Sequence, residues 1–199
     1  MKRIFKLFTI SFVFLIGFTM MCFPLAFVKS GSIGSHDSDK GGHTGDIVET
    51  NGDFGFVYAK NDVPSSRGVI QGVHAGIDFN GGYGTDVLAI CDAVVYKASN
   101  TCDPNGGYLG NWCPFDEVSG GGNYVVLTFS YEGKQYYAQY DHMSKVYVKT
   151  GDKVKRGQKV GAEGHSGNST GSHLHFEVHY GGLYTGSYTN LINPRAWWE

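Results

Sequence analysis

Around Leu174–Val178 the chain alternates strictly. Leu174, Phe176 and Val178 are apolar, and His173, His175 and Glu177 between them are polar. A period of two is the period of a β-strand, which sends alternate side chains to opposite faces. The apolar set therefore packs on a core, and His173 and His175 stand side by side on the other face. The run Gly164–Ser172, rich in Gly, Ser, Asn and Thr, is a loop that feeds this strand. Two histidines two residues apart are compatible with a solvated strand face. They are equally compatible with a metal site, or with one imidazole binding an ion while its neighbour moves protons.

Two further clusters bear on that choice, His74-Ala75-Gly76-Ile77-Asp78 and Tyr140-Asp141-His142. On an extended segment residues four apart share a face, so His74 and Asp78 can converge on one ion, and Gly76 permits a close backbone approach. Taken alone, His142 reads as a surface histidine at the end of a strand. The three clusters together, in the order His-x-Gly-x-Asp, Tyr-x-His and Gly-x-x-Gly-x-Ser-Thr-Gly-x-His-Leu-His-Phe-Glu, resemble the lysostaphin-type (M23) zinc metallopeptidases of bacterial cell walls. The resemblance runs from about Phe54 to Trp198. The chain departs from the family pattern at Ser172, where Pro is usual, and at His165, where a small residue is common.

The resemblance implies one Zn²⁺ per domain held by His74, Asp78 and His175, with His142 and His173 as catalytic residues and no other cofactor. Three protein ligands leave a fourth position for water, and the net positive site lowers the pKa of that water to about 7. Metal-bound water as nucleophile then hydrolyses peptide bonds in peptidoglycan cross-bridges or stem peptides. The alternative is a non-catalytic wall-binding or hydrolase-activating domain of the same fold, a role of relatives that lose ligands; here all five residues are present. Glu177 shares a face with His175 and either orients that imidazole or is an ordinary polar strand residue. His165 lies in the loop before the strand, within reach of substrate, and His179 lies too far along the strand to share the ion. No His-Glu-x-x-His helix and no Gly-x-Ser-x-Gly elbow occurs, so neither of those mechanisms is supported.

Thirty glycines, abundant Tyr and Phe and few charges point to an all-β domain with tight turns. Antiparallel sheets with a groove lined by loops are the expected architecture. Asn123–Ser130 and Lys134–Asp141 read as a hairpin turning at Glu132-Gly133, Gly84–Ala98 as a strand pair, and Val148–Gly161 as two short strands with solvated charges. Trp197 and Trp198 are packing residues. Residues 99–122 form an irregular insertion whose Tyr108 and Trp112 either line the groove or pack the loop on itself. Cys91 sits in an apolar run and is expected to be buried. Cys102–Cys113 is the expected loop-closing disulfide, with pairings through Cys91 left open.

Residues 7–28 carry no charge and follow Lys2, Arg3 and Lys6. At 1.5 Å rise per residue the run is long enough for a hydrocarbon core of ~30 Å, as a signal-anchor helix or a long signal peptide. The positive start keeps the N-terminus inside and sends the rest across. The expected organisation is thus a leader at 1–28, a Gly/Ser-rich tether at 29–46 and a monomeric peptidase domain at 47–199. Its place is the outer face of the cytoplasmic membrane or the cell wall. Its partners are peptidoglycan peptides, and the membrane if the leader stays. A net charge of -2 gives no reason to expect nucleic acid.

Overall fold

The computed structural model describes residues 47–104, 120–184 and 186–198. The leader and tether, together with Tyr108, Trp112 and Cys113, lie outside the described residues. Two antiparallel sheets make up the fold. The larger is built from β1 (Ser65–Arg67), β2 (Ile77–Phe79), β4 (Ala93–Ser99), β5 (Tyr124–Tyr131), β6 (Lys134–Asp141), β8 (Lys153–Val154) and β10 (Leu174–Tyr180). Its spatial order is β1-β2-β10-β6-β5-β4-β8. The smaller holds β3 (Asp86–Leu88), β9 (Lys159–Ala162) and β7 (Lys145–Val146) in the order β3-β9-β7. The all-β expectation holds.

The β5–β6 hairpin follows the sequence closely. Tyr131 faces Lys134 across the turn. Glu132 and Gly133 have φ of 50° and 72°, the pair of positive values that matches strand twist in a two-residue hairpin loop. The segment Gly84–Ala98 does not form the strand pair that its pattern suggests. β3 pairs with β9 in the small sheet, and β4 pairs with β5 and β8 in the large one. The connector between them prevents local pairing. Leu88 N–H donates to Val57 O, Ala89 N–H to Gln158 O, and Ala89 O accepts from Gly157 N–H. Ala89, Ile90 and Cys91 are fully buried, so this turn belongs to the core. The charges of the 148–161 segment are solvated as expected, in exposed pairs Lys155–Asp92 and Lys159–Asp86.

Ile77, Phe79, Leu127, Phe129, Tyr140, Leu174 and Phe176 form the heart of the core. The C-terminal 3-10 turn Pro194–Trp197 closes over it. Trp197 stacks on Phe54 at 4.1 Å, and Trp198 meets Phe56 edge-on at 5.4 Å. Such aromatic pairs contribute about 0.5–1.5 kcal/mol each beyond their buried area. The tryptophans thus tie the two ends of the described domain together. Cys102 is disulfide-bonded and Cys91 is a buried free thiol, so Cys91 takes no part in a bridge.

β10 is the strand that positions the site. It lies between β2 and β6, with His175 facing Asp78 on one side and Asp141 on the other. Leu174, Phe176 and Val178 are fully buried. The opposite face is not a solvated one: Glu177 and His179 are buried as well. Their polar atoms must therefore be paired inside the protein.

Candidate metal centre

Residues directly opposite in an antiparallel pair project to the same face, which puts Asp78 and His175 together. His74 precedes β2 in a closed turn, where Ile70 N–H donates to His74 O and His74 N–H to Ile70 O, both at 2.8 Å. This turn folds His74 back over Asp78. The three facing atoms are His74 Nε2, Asp78 Oδ1 and His175 Nδ1. Their separations are 2.9 Å for His74–Asp78, 2.8 Å for His175–Asp78 and 3.1 Å between the imidazoles. Gly76 makes the approach possible: a Cβ there would sit 2.5 Å from the His175 ring.

The other nitrogen of each imidazole is already committed. His74 Nδ1–H donates to Gly68 O at 2.9 Å, and His175 Nε2–H donates to Glu177 Oε1 at 2.8 Å. Each neutral ring has one donor and one lone pair. With both rings neutral, the two lone pairs point at one another and at a carboxylate, with no hydrogen between them. Three converging acceptors then call for a positive charge, which a proton on His175 or a metal ion supplies. Zinc bonds of about 2.0–2.1 Å at tetrahedral angles would set edges of about 3.3 Å, close to those observed. The donor set, two imidazoles and a carboxylate, suits that ion. The titration behaviour of the protein groups points the same way. Burial disfavours a charge on His175, yet hydrogen bonds to Asp78 and Glu177 outweigh it and push its pKa up to about 10. Burial likewise works against the charge on Asp78, and His175, with His173 and His74 behind it, holds that carboxyl below its usual range. The carboxylates demand positive charge at this point.

His142 and His173 flank the cluster. His142 lies 4.7 Å from His173 and 6.0 Å from His175, centroid to centroid. It is not the surface histidine that its local sequence suggests but is buried at the end of β6, with φ of 62°. Its Nδ1–H donates to Ser166 O at 2.8 Å. Burial, followed by the nearby His173 and His175, lowers its pKa to about 3, so it is neutral at physiological pH. His173 Nδ1–H donates to Gly171 O at 2.8 Å, and its Nε2 faces Asp78 Oδ1 at 3.7 Å. All five residues singled out in the sequence line one open groove of about 460 Å³. His165 does not; its ring turns to the Ser169 hydroxyl at 3.2 Å.

Glu177 takes the orienting position of its two readings. One oxygen accepts from His175, the other from His179 Nε2 at 2.8 Å, and Gly186 N–H donates to it as well. Burial raises its pKa, but the two histidines hold it lower. His179 does not share the ion. It supports the carboxylate that supports His175, with its Nδ1 on Thr189 O at 2.9 Å. Glu177→Gln is expected to weaken metal binding about 10- to 100-fold while the fold survives, because it loses the charged acceptor behind a ligand imidazole. Chelator competition measures this, and unchanged affinity would return Glu177 to the ordinary reading.

Three supporting residues escaped the sequence reading. Glu163 is fully buried and accepts from Tyr58 OH at 2.5 Å, Gly81 N–H at 2.7 Å, Gly82 N–H at 3.0 Å and Ser172 Oγ at 3.0 Å. It joins the segment leaving Asp78 to the residue before His173. Ser172, at the usual Pro position, thus contributes a hydroxyl that a Pro would not supply. Asn123 and Ser166 hold the other wall. Asn123 bonds Cys102 and Met143, and Ser166 Oγ links Asn123 N–H to Met143 O. The signal for Glu163 was a carboxylate set directly among glycines and apolar residues, in Val160-Gly161-Ala162-Glu163-Gly164.

Residues 72–190 match Peptidase family M23. The chain is 38% identical over 105 residues to the peptidoglycan DD-endopeptidase ShyA of Vibrio cholerae, covering 53% of this chain and 20% of that protein. It is 36% identical over 115 residues to lysostaphin of Staphylococcus simulans, covering 57% and 20%. The crystal structure of a zinc-containing peptidase from Vibrio cholerae superposes with a TM-score of 0.50 at 26% identity, covering 70% of this chain and 38% of that one. The chain spans about a fifth to a quarter of the length of the curated relatives it matches.

Proposed function

The chain belongs to peptidase family M23, and on that premise we propose that it is a zinc-dependent endopeptidase cutting peptide bonds in peptidoglycan. The observation that carries the metal is the triad of acceptors, His74 Nε2, Asp78 Oδ1 and His175 Nδ1, within 3.1 Å of one another with both outer imidazole N–H groups tied elsewhere. The similarity to the peptidoglycan DD-endopeptidase ShyA and to the glycyl-glycine endopeptidase ALE-1 of Staphylococcus capitis supports a wall peptide as substrate.

When bound, zinc supplies Lewis acidity, acidifying water and polarising a carbonyl. The chain's own groups handle protons. His142 is held neutral by burial, with Nδ1–H fixed on Ser166 O and Nε2 left as an acceptor. It thereby offers an unprotonated acceptor to the attacking water. His173, fixed at Nδ1 by Gly171 O, presents Nε2 beside Asp78. It is placed to stabilise the developing oxyanion and to pass a proton to the leaving amine as the C–N bond breaks. The uncharged run at residues 7–28 behind a positive start supports action outside the cytoplasmic membrane.

Purified peptidoglycan incubated with the full chain is the test. New amino groups should appear without reducing sugar ends; a chelator should stop their release, and zinc should restore it. Reducing ends instead would reject the peptidase reading. No cleavage by zinc-loaded protein across several peptidoglycan chemotypes would favour a wall-binding domain.

A further inference from the structure

Arg67 is the last residue of edge strand β1 and lies in register opposite Asp78. Its side chain therefore projects on the face that carries the metal cluster, and it lines the same groove. Among the described lining residues it is the only Lys or Arg. Each carboxylate around it is already engaged. Asp78 faces His74 and His175, Glu177 holds His175 and His179, and Asp141 accepts from Gln139. The Arg67 side chain makes no hydrogen bond or ion pair among the described residues, although its backbone pairs with β2. One charged group at the groove thus has its donors unused.

Its position is fixed by the site. The next residue, Gly68, offers the carbonyl that holds His74 Nδ1–H. Two residues beyond that, Ile70 O accepts from Tyr188 OH at 2.8 Å, which pins this rim to the loop after β10. The guanidinium root is therefore tied to the metal ligand and not to a wandering loop. A planar fork of N–H donors matches a carboxylate with two parallel hydrogen bonds, a fit that a neutral amide cannot reproduce.

We propose that Arg67 is a specificity-determining residue that binds a free carboxylate flanking the scissile amide. The preferred substrates are then anionic peptide cross-links, and neutral oligoglycine bridges are disfavoured. This inference rests on reading the groove as a peptidase site.

The test uses two pairs of cross-link mimics. In one, D-alanine is joined to the side-chain amine of a diamino acid whose own carboxyl is either free or amidated. In the other, the free or amidated carboxyl lies on the acyl side. Calorimetry on the metal-loaded full chain uses versions with the scissile amide N-methylated, and cleavage of the parent amides is followed in parallel. For at least one pair the free acid should bind about 10- to 100-fold tighter than the amide, as a charge-assisted hydrogen bond allows. Arg67→Gln should bring that ratio close to one, and Arg67→Lys should retain part of it. Absence of acid preference in the native chain, including absence of binding, or a preference that survives Arg67→Gln, overturns the proposal. Acid-selective binding without cleavage would sink the peptidase reading and leave Arg67 standing; cleavage of acid and amide alike would do the reverse.

Discussion

Alanine at His74, Asp78 or His175 should each strip the bound metal and abolish hydrolysis. The three atoms that converge there are the whole of the protein's donor set among the described residues. A three-ligand site has no spare donor, and removing one leaves two groups whose approach no longer encloses an ion. The losses should be nearly equal despite the different positions of the three residues. His175 is central in the large sheet, and His74 stands in a turn at its edge. Zinc content of the purified variants, measured beside circular dichroism, separates metal loss from unfolding. Full zinc retention in all three would remove the assignment.

Changing His142 or His173 should leave zinc in place and lower kcat by about 10²–10⁴-fold, the usual contribution of a positioned acid or base. His142→Asn is the cleaner variant. Position 142 has φ of 62°, and Asn tolerates left-handed backbone better than Ala, so a loss of rate is not confused with relieved or added strain. His173→Ala has no such complication. Both rings are fixed at Nδ1 by a backbone carbonyl, so each presents the same nitrogen to the groove. Turnover close to that of the native chain in either variant would strike that residue from the catalytic pair.

Local pattern carried parts of this molecule and not others. The β5–β6 hairpin was legible because everything that specifies it, the strand residues and Glu132-Gly133, is contiguous. The His-x-His strand was legible for the same reason. The partition of Gly84–Ala98 between two sheets was not, because Leu88 and Ala89 are tied to Val57 and Gln158 and no periodicity within the segment names those partners. His142 was picked out through the family resemblance; its burial and positive φ depend on Gly121 and Ser166, which hold its backbone and ring. Glu177 could be read two ways from its strand face, since only the arrival of His179 and Gly186 decides what a carboxylate does. Glu163 gave only a compositional hint, because its partner Tyr58 lies 105 residues away.

The order of strands in the large sheet also sets a gradient of opening. β10, β6 and β5 sit inside the sheet between strands of three residues or more that are largely buried, whereas the outer neighbour of β2 is only the three-residue, exposed edge strand β1. Amide exchange should thus be slowest at the centre, close to the limit of global unfolding, and fastest at the margin. Asp78 lies on the marginal strand and His175 on the central one. An ion bridging them fastens the two regions together. At a free metal concentration 100 times its Kd, the closed state gains about 2.7 kcal/mol. That gain slows exchange at Ile77–Phe79 first and leaves the β5–β6 amides nearly untouched. Metal occupancy is then recorded as protection of the strand next to the sheet's exposed edge.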